Sequence, residues 1–138
     1  MDILTILLRL FLAVICGAVI GLEREVRDKA AGLRTHVLVC LGACLFAMVG
    51  IDVVGEYKDD ILRLAQGILI GIGFLGGGVI FKEGNTIKGL TTAAGIWVMG
   101  GIGMSIGIGS YLIGLIGTVF AFLTIALLDR VETRIRKK

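Results

Sequence analysis

Five long apolar runs, all but the last two parted by short clusters of charged residues, set the pattern of this chain. They cover residues 3–22, 35–54, 61–81, 90–108 and 111–128. Each comes close to the roughly 20 predominantly apolar residues that a helix needs to cross a bilayer. The pattern predicts an all-α integral membrane protein with five transmembrane helices. The last two runs are parted only within Gly107-Ile108-Gly109-Ser110. One bent helix there would be roughly 58 Å long, about twice the hydrocarbon thickness, so a tight turn is expected. Proline is absent. Any break in a helix must therefore be made by glycine.

Composition sharpens the picture by exclusion. The hydrophobic set makes up 57% of 138 residues, and 22 further residues are glycine. Soluble domains hold about 45–50% of both together. With a mean hydropathy of +0.99, a 14.6 kDa globule cannot bury so much apolar side chain. This excludes a soluble domain, a disordered chain and a disulfide-stapled domain, and makes the lipid bilayer the first partner. The three cysteines, Cys16, Cys40 and Cys44, all lie inside apolar runs and read as small packing residues. The start, Met1-Asp2-Ile3, lacks the basic segment of a signal peptide, so the first run is expected to be a retained helix.

The net charge of +3 is informative by position, not as a sign of nucleic acid. Arg24, Arg27, Lys29 and Arg34 flank one connection, Lys82 and Lys88 another, and Arg130, Arg134, Arg136, Lys137 and Lys138 lie in the tail. The opposite side has only Lys58. The positive-inside rule then predicts an outside N-terminus and a cytoplasmic C-terminus. Residues 1–128 are expected to form the membrane domain and 129–138 a basic cytoplasmic tail.

A weak internal repeat is also legible. Gly17-Ala18-Val19-Ile20 followed by Glu23 parallels Gly77-Gly78-Val79-Ile80 followed by Glu83. Gly32-Leu33-Arg34-Thr35 parallels Gly89-Leu90-Thr91-Thr92. Two parallel helical hairpins plus a fifth helix are expected. Within the repeat, Arg9, Ala13, Gly17 and Gly21 recur every four residues, as do Arg63, Gly67 and Gly71. Each set shares a helix face, and small residues on such a face predict close packing inside the bundle. Arg9 lies deep enough to suit an interior role, either pairing with an outer acid (Asp52, Glu56, Asp59 or Asp60) or binding an anionic group. Arg63 suits snorkelling to the interface, and Gln66 is a third polar group in that layer.

Other constellations carry less. His36, Cys40 and Cys44 recur at helical spacing, but eight residues span about 12 Å of axis, too far for one metal ion. Close packing is the expected role, and no metal or cofactor is predicted. Gly71-Ile72-Gly73-Phe74-Leu75-Gly76 matches a dinucleotide fingerprint but lies inside an apolar run with no strand before it. Gly76-Gly77-Gly78 marks a place where the third helix could unwind around a solute, with a straight, packed helix as the plainer expectation. No catalytic constellation is visible, so an enzyme is not expected.

Four blocks are distinctive together: Gly21-Leu22-Glu23-Arg24-Glu25, Ala31-Gly32-Leu33-Arg34-Thr35-His36, the stretch from Gly71 to Ile80, and Gly89-Leu90-Thr91-Thr92-Ala93-Ala94-Gly95-Ile96-Trp97. With them the chain resembles the MgtC/SapB family from about residue 10 to 128. The resemblance implies a multi-pass protein of the bacterial inner membrane, linked to growth in low Mg²⁺ and, in pathogens, to survival inside host cells. It implies membrane-protein partners such as a P-type Mg²⁺ ATPase or the ATP synthase. It also draws Glu23, Arg24, Glu25, Arg34, Thr35, His36, Thr91 and Thr92 together as candidate functional residues. Longer members carry a soluble C-terminal domain. This sequence stops at Lys138, so roles that depend on that domain are not expected of it. A homo-oligomer, most simply a dimer, suits the small-residue faces. Two functions stand: a non-catalytic module acting on ion or energy homeostasis, and a small transporter or channel. An Mg²⁺ carrier is poorly served by spans whose only acids, Asp52 and Asp129, lie at edges, because Mg²⁺ wants oxygen ligands.

Overall fold

A computed structural model describes residues 1–54 and 58–136. It contains five helices: α1 (Ile3–Val26), α2 (Leu33–Val54), α3 (Lys58–Gly77), α4 (Leu90–Gly107) and α5 (Tyr111–Arg136). A two-stranded antiparallel ribbon, β1 (Phe81–Glu83) and β2 (Thr86–Lys88), joins α3 to α4. Among the described residues four helices are long and apolar enough to cross a membrane, and α3 contributes a shorter apolar stretch, Ile61–Gly77. The chain is a multi-pass membrane protein. Its outward faces agree: Ile3, Leu4 and Phe11 on α1 and Leu112, Ile113 and Phe120 on α5 are exposed, as surfaces that meet hydrocarbon are.

The helices begin and end for local reasons. Asp2 caps α1, its carboxylate accepting from the Thr5 hydroxyl at 2.5 Å and the Thr5 amide at 3.4 Å. The Thr5 hydroxyl holds that carboxyl below the usual carboxylate range. The turn between α4 and α5 is the tight one expected, with Gly109 at φ +90°. An L side chain is strained at that φ.

The third helix departs from expectation. It was expected to reach residue 81 but stops at Gly77, and Phe81 already begins a strand. Three consecutive glycines favour an end over continuation. Gly76-Gly77-Gly78 is therefore neither a mid-helix break nor part of a straight helix running on to 81; it is a terminus. The matching segment 17–20 is helical throughout, so the two repeat stretches differ in local structure. Gly71 to Gly76 lies within α3, which removes the strand-loop-helix context of a dinucleotide site.

The core is centred on α2, with α1 on one side and α4 on the other. A Cβ on Gly17 would lie 2.6 Å from Val37 Cα, and one on Gly21 2.7 Å from Leu33 Cα. Across α2, Gly107 backs onto the Cys44 carbonyl, where a Cβ would lie 2.5 Å away, and Gly103 meets the Cys40 carbonyl. Ala13, Cys16, Ile20, Cys40, Cys44 and Met99 fill this seam and are buried. The face of Arg9, Ala13, Gly17 and Gly21 thus points inward, as expected.

The corresponding face of α3 does not. Arg63, Gln66, Gly67 and Gly71 are exposed, and added Cβ atoms at Gly67 and Gly71 would meet nothing within 4 Å. The cause is rotation. Gly76 abuts Ala93, and Ile72 lies over Gly100 of α4. The buried face of α3 is therefore Ile68, Ile72 and Gly76. Arg63, being exposed, fits the snorkelling reading.

Candidate functional site

A buried polar layer lies where α1 ends and α2 and α4 begin. The Arg24 residue is only 3% exposed, Thr92 4% and His36 0%. The Glu23 side chain is 8% exposed. Arg24 Nη2 donates to the Thr92 hydroxyl at 3.1 Å, and its Nη1 lies 3.9 Å from a Glu23 oxygen. The other Glu23 oxygen lies 2.6 Å from Arg27 Nε. One nearly buried carboxylate therefore stands between two guanidiniums, the buried Arg24 and the partly exposed Arg27. Such a pair is secure only while every charge keeps its partner. Arg24 also sits in the last turn of α1, where a cation complements the helix dipole.

Glu25 has a different task. Its carboxylate accepts from the Leu33 amide at 2.8 Å, closing the loop between α1 and α2 and capping α2. Gly32 lies directly against this carboxylate and leaves no room for a Cβ. His36 Nδ1 donates to the Gly32 carbonyl at 2.9 Å, which fixes Nε2 as the acceptor nitrogen. Nε2 is buried without a hydrogen-bond partner among the described residues and faces Gly95.

The candidates from the sequence therefore separate. Glu23, Arg24, His36 and Thr92 share the layer, and Glu25 braces its edge. Arg34, Thr35 and Thr91 are exposed beside it. The sequence alone did not single out Arg27 as the partner of Glu23, although the i, i+4 spacing carried that signal. His36, Cys40 and Cys44 are fully buried along α2, and their neighbours Gly95, Gly103 and Gly107 give the row a packing role. Among the described residues no group of three or more His, Cys, Asp or Glu side chains could hold a metal ion.

At the opposite end, Arg9 faces the bundle. Its Nη1 donates to the Gly107 carbonyl at 2.6 Å and its Nε to the Tyr111 hydroxyl at 3.2 Å. The guanidinium also lies 5.9 Å from the Tyr111 ring centre. Its described partners are thus a helix C-terminus, a phenol and the Met1 sulfur, 3.2 Å from Nη1, and not Asp52. Asp52 is 3.8 Å from the N-terminal ammonium instead. The side chains of Glu56, Asp59 and Asp60 lie outside the described residues.

Arg9 ties α1 to the end of α4, and Arg24 ties α1 to its beginning. Comparison with known proteins then decides the kinship. The MgtC family model matches residues 10–134. The chain belongs to the MgtC family. It is 41% identical over 141 residues to a protein of Escherichia coli K12 named putative magnesium transporter YhiD, covering 96% of this chain and 64% of that protein. It is 41% identical over 143 residues to protein SrpB of Synechococcus elongatus, covering 95% and 79%. It is 40% identical over 131 residues to protein MgtC of Salmonella typhimurium, covering 95% and 55%. The chain thus spans well under two thirds of that MgtC and 64% of YhiD. No solved structure matches. Within this MgtC-family chain, the buried layer and both arginine ties fall inside or at the edge of the matched region.

Proposed function

We propose that this chain is a non-catalytic protein of the bacterial inner membrane that supports growth at low Mg²⁺ by adjusting ion or energy homeostasis through membrane-protein partners. Family membership and relatives named MgtC and putative magnesium transporter support the Mg²⁺ link. The observation that carries the modulator reading over a transporter is the seam. Where α1, α2 and α4 meet through Gly17, Gly21, Gly103 and Gly107, no Cβ fits, and a hydrated ion is far larger than a Cβ. The buried layer has one carboxylate between two guanidiniums, a poor host for a divalent cation.

Five spans with an outside N-terminus complete the reading. Support comes from α3, which runs from Leu64, against Gly50 of α2, to Gly76, against Ala93 of α4. Its two ends thus pack near opposite ends of its neighbours, as a fifth span would. A dimer and partners such as a P-type Mg²⁺ ATPase or the ATP synthase belong to the same proposal.

The test joins two measurements. Expressed in a bacterium lacking its own MgtC-family protein, the chain restores growth at low Mg²⁺. Purified and reconstituted in liposomes, it moves neither Mg²⁺, protons nor anions. Mg²⁺ flux above empty liposomes would replace the modulator with a transporter, and failed complementation at normal membrane levels would remove the Mg²⁺ role.

A further inference from the structure

Away from the buried layer, a groove of about 1070 Å³ runs between α2 and α3. Its walls are apolar: Leu38, Gly42 and Phe46 on α2 and Gly67, Gly71 and Leu75 on α3. Leu38, Phe46 and Leu75 are exposed, so the groove opens sideways. It is a wedge. At one end the Leu64 side chain rests on Gly50 and closes it. Towards the other end α3 packs on α4 through Ile72 and Gly76. Arg34 and Thr35 line the mouth at that end. Arg34 is exposed and makes no hydrogen bond or ion pair with another described residue.

We propose that the wedge holds a phospholipid with an anionic headgroup, one acyl chain between α2 and α3 and its phosphate on Arg34 and Thr35. The chemistry matches at both ends. On a membrane helix a sideways-opening apolar space is filled by hydrocarbon, because water has no hydrogen-bond partners there. From residue 34 to residue 46, α2 rises roughly 18 Å, a run of acyl-chain length within one leaflet. The volume exceeds the ~300–1,000 Å³ common for small-molecule sites. At the mouth, a guanidinium presents a planar fork that fits a phosphate bidentately, and a threonine hydroxyl adds a donor. A second copy of this chain would have to seat a helix, about 10–12 Å across, in the groove, whereas a single acyl chain is slimmer and its phosphate brings the anion to Arg34. Size and charge together therefore favour the lipid. This inference stands independently of the Mg²⁺ role.

The protein has one tryptophan, which makes a fluorescence test direct. In a Trp97→Phe, Phe46→Trp protein, the single indole sits on the groove wall. The probe is phosphatidylglycerol brominated in its acyl chains, titrated into detergent-solubilised protein, with brominated phosphatidylcholine as the zwitterionic arm. Quenching should saturate at low mole fraction with phosphatidylglycerol and need about tenfold more phosphatidylcholine. Arg34→Gln should weaken phosphatidylglycerol by about tenfold, the loss of one charge-assisted contact. Filling the wedge from either wall, by Gly42→Leu or Gly71→Phe, should abolish saturation while each variant stays monodisperse. Using both walls guards against one variant failing to fold. Quenching that rises linearly and equally for both lipids, or is unchanged in Arg34→Gln, would overturn the proposal. So would an indole shielded from quencher in a protein that native mass spectrometry shows as a dimer, since the occupant would then be a second copy.

Discussion

Arg9 and Glu23 show how much one charged side chain carries when lipid replaces water. Arg9 donates to the Gly107 carbonyl, the last of α4, which the helix itself cannot satisfy. Arg9→Leu should therefore destabilise the protein in detergent by about 1–2 kcal/mol, even though leucine is the better lipid-facing residue. Arg9→Lys should cost less, keeping charge but losing the fork. Tyr111→Phe should cost roughly 0.5–1 kcal/mol. A melting temperature unchanged by Arg9→Leu would make the arginine a mere interfacial anchor. Glu23 behaves more severely. Glu23→Leu leaves the buried Arg24 and its neighbour Arg27 without their shared carboxylate, at about 3 kcal/mol or more. Membrane levels should drop, whereas the exposed Thr91→Ala should leave them unchanged; immunoblotting of membrane fractions reads both. That Arg9 was interior could be read from its spacing to Ala13, Gly17 and Gly21. That its partner was Tyr111 could not, because the contact spans 102 positions and depends on how α5 folds back.

At the scale of elements, two glycine pairs of identical spacing give opposite results. Gly17 and Gly21 press on the α2 backbone, while Gly67 and Gly71 press on nothing. Gly17→Ala should overpack the α1–α2 seam and cost about 1–3 kcal/mol. Gly67→Ala should be neutral or slightly stabilising, through helix propensity alone. Chemical denaturation of the two variants side by side measures the contrast, and equal losses would mean that α3 is buried by something outside this chain. The helices were legible because apolar length is a strong signal in a membrane. The rotation of α3 was not, because both faces of it are apolar or small and spacing does not say which neighbour comes near. The ribbon was missed for a related reason. Phe81-Lys82-Glu83 and Thr86-Ile87-Lys88 are three residues each, too short for a period to show, and only Gly84 (φ +59°) hints at the reversal.

For the whole molecule, charge asymmetry and fold agree. The loop 27–32, the ribbon and the end of α5 emerge at one end, with nearly all the basic residues. Cysteine placed at position 58 should react with an impermeant thiol reagent in intact cells, and at position 28 should not, on a background without Cys16, Cys40 and Cys44. Strong reaction at 28 would invert the topology. The central place of α2 has one more consequence, in time instead of space. Synthesis runs from α1 to α5, so α1 and α2 are complete and can close their glycine seam early. The contacts of α3 are chiefly with α4, which is made after it. While the ribbon is being synthesised, α3 is therefore held by its contacts with α2, such as Leu64 on Gly50, and not yet by those with α4. The α1–α2 seam is thus expected to close first, and α4, which packs against both α2 and α3, to complete the assembly.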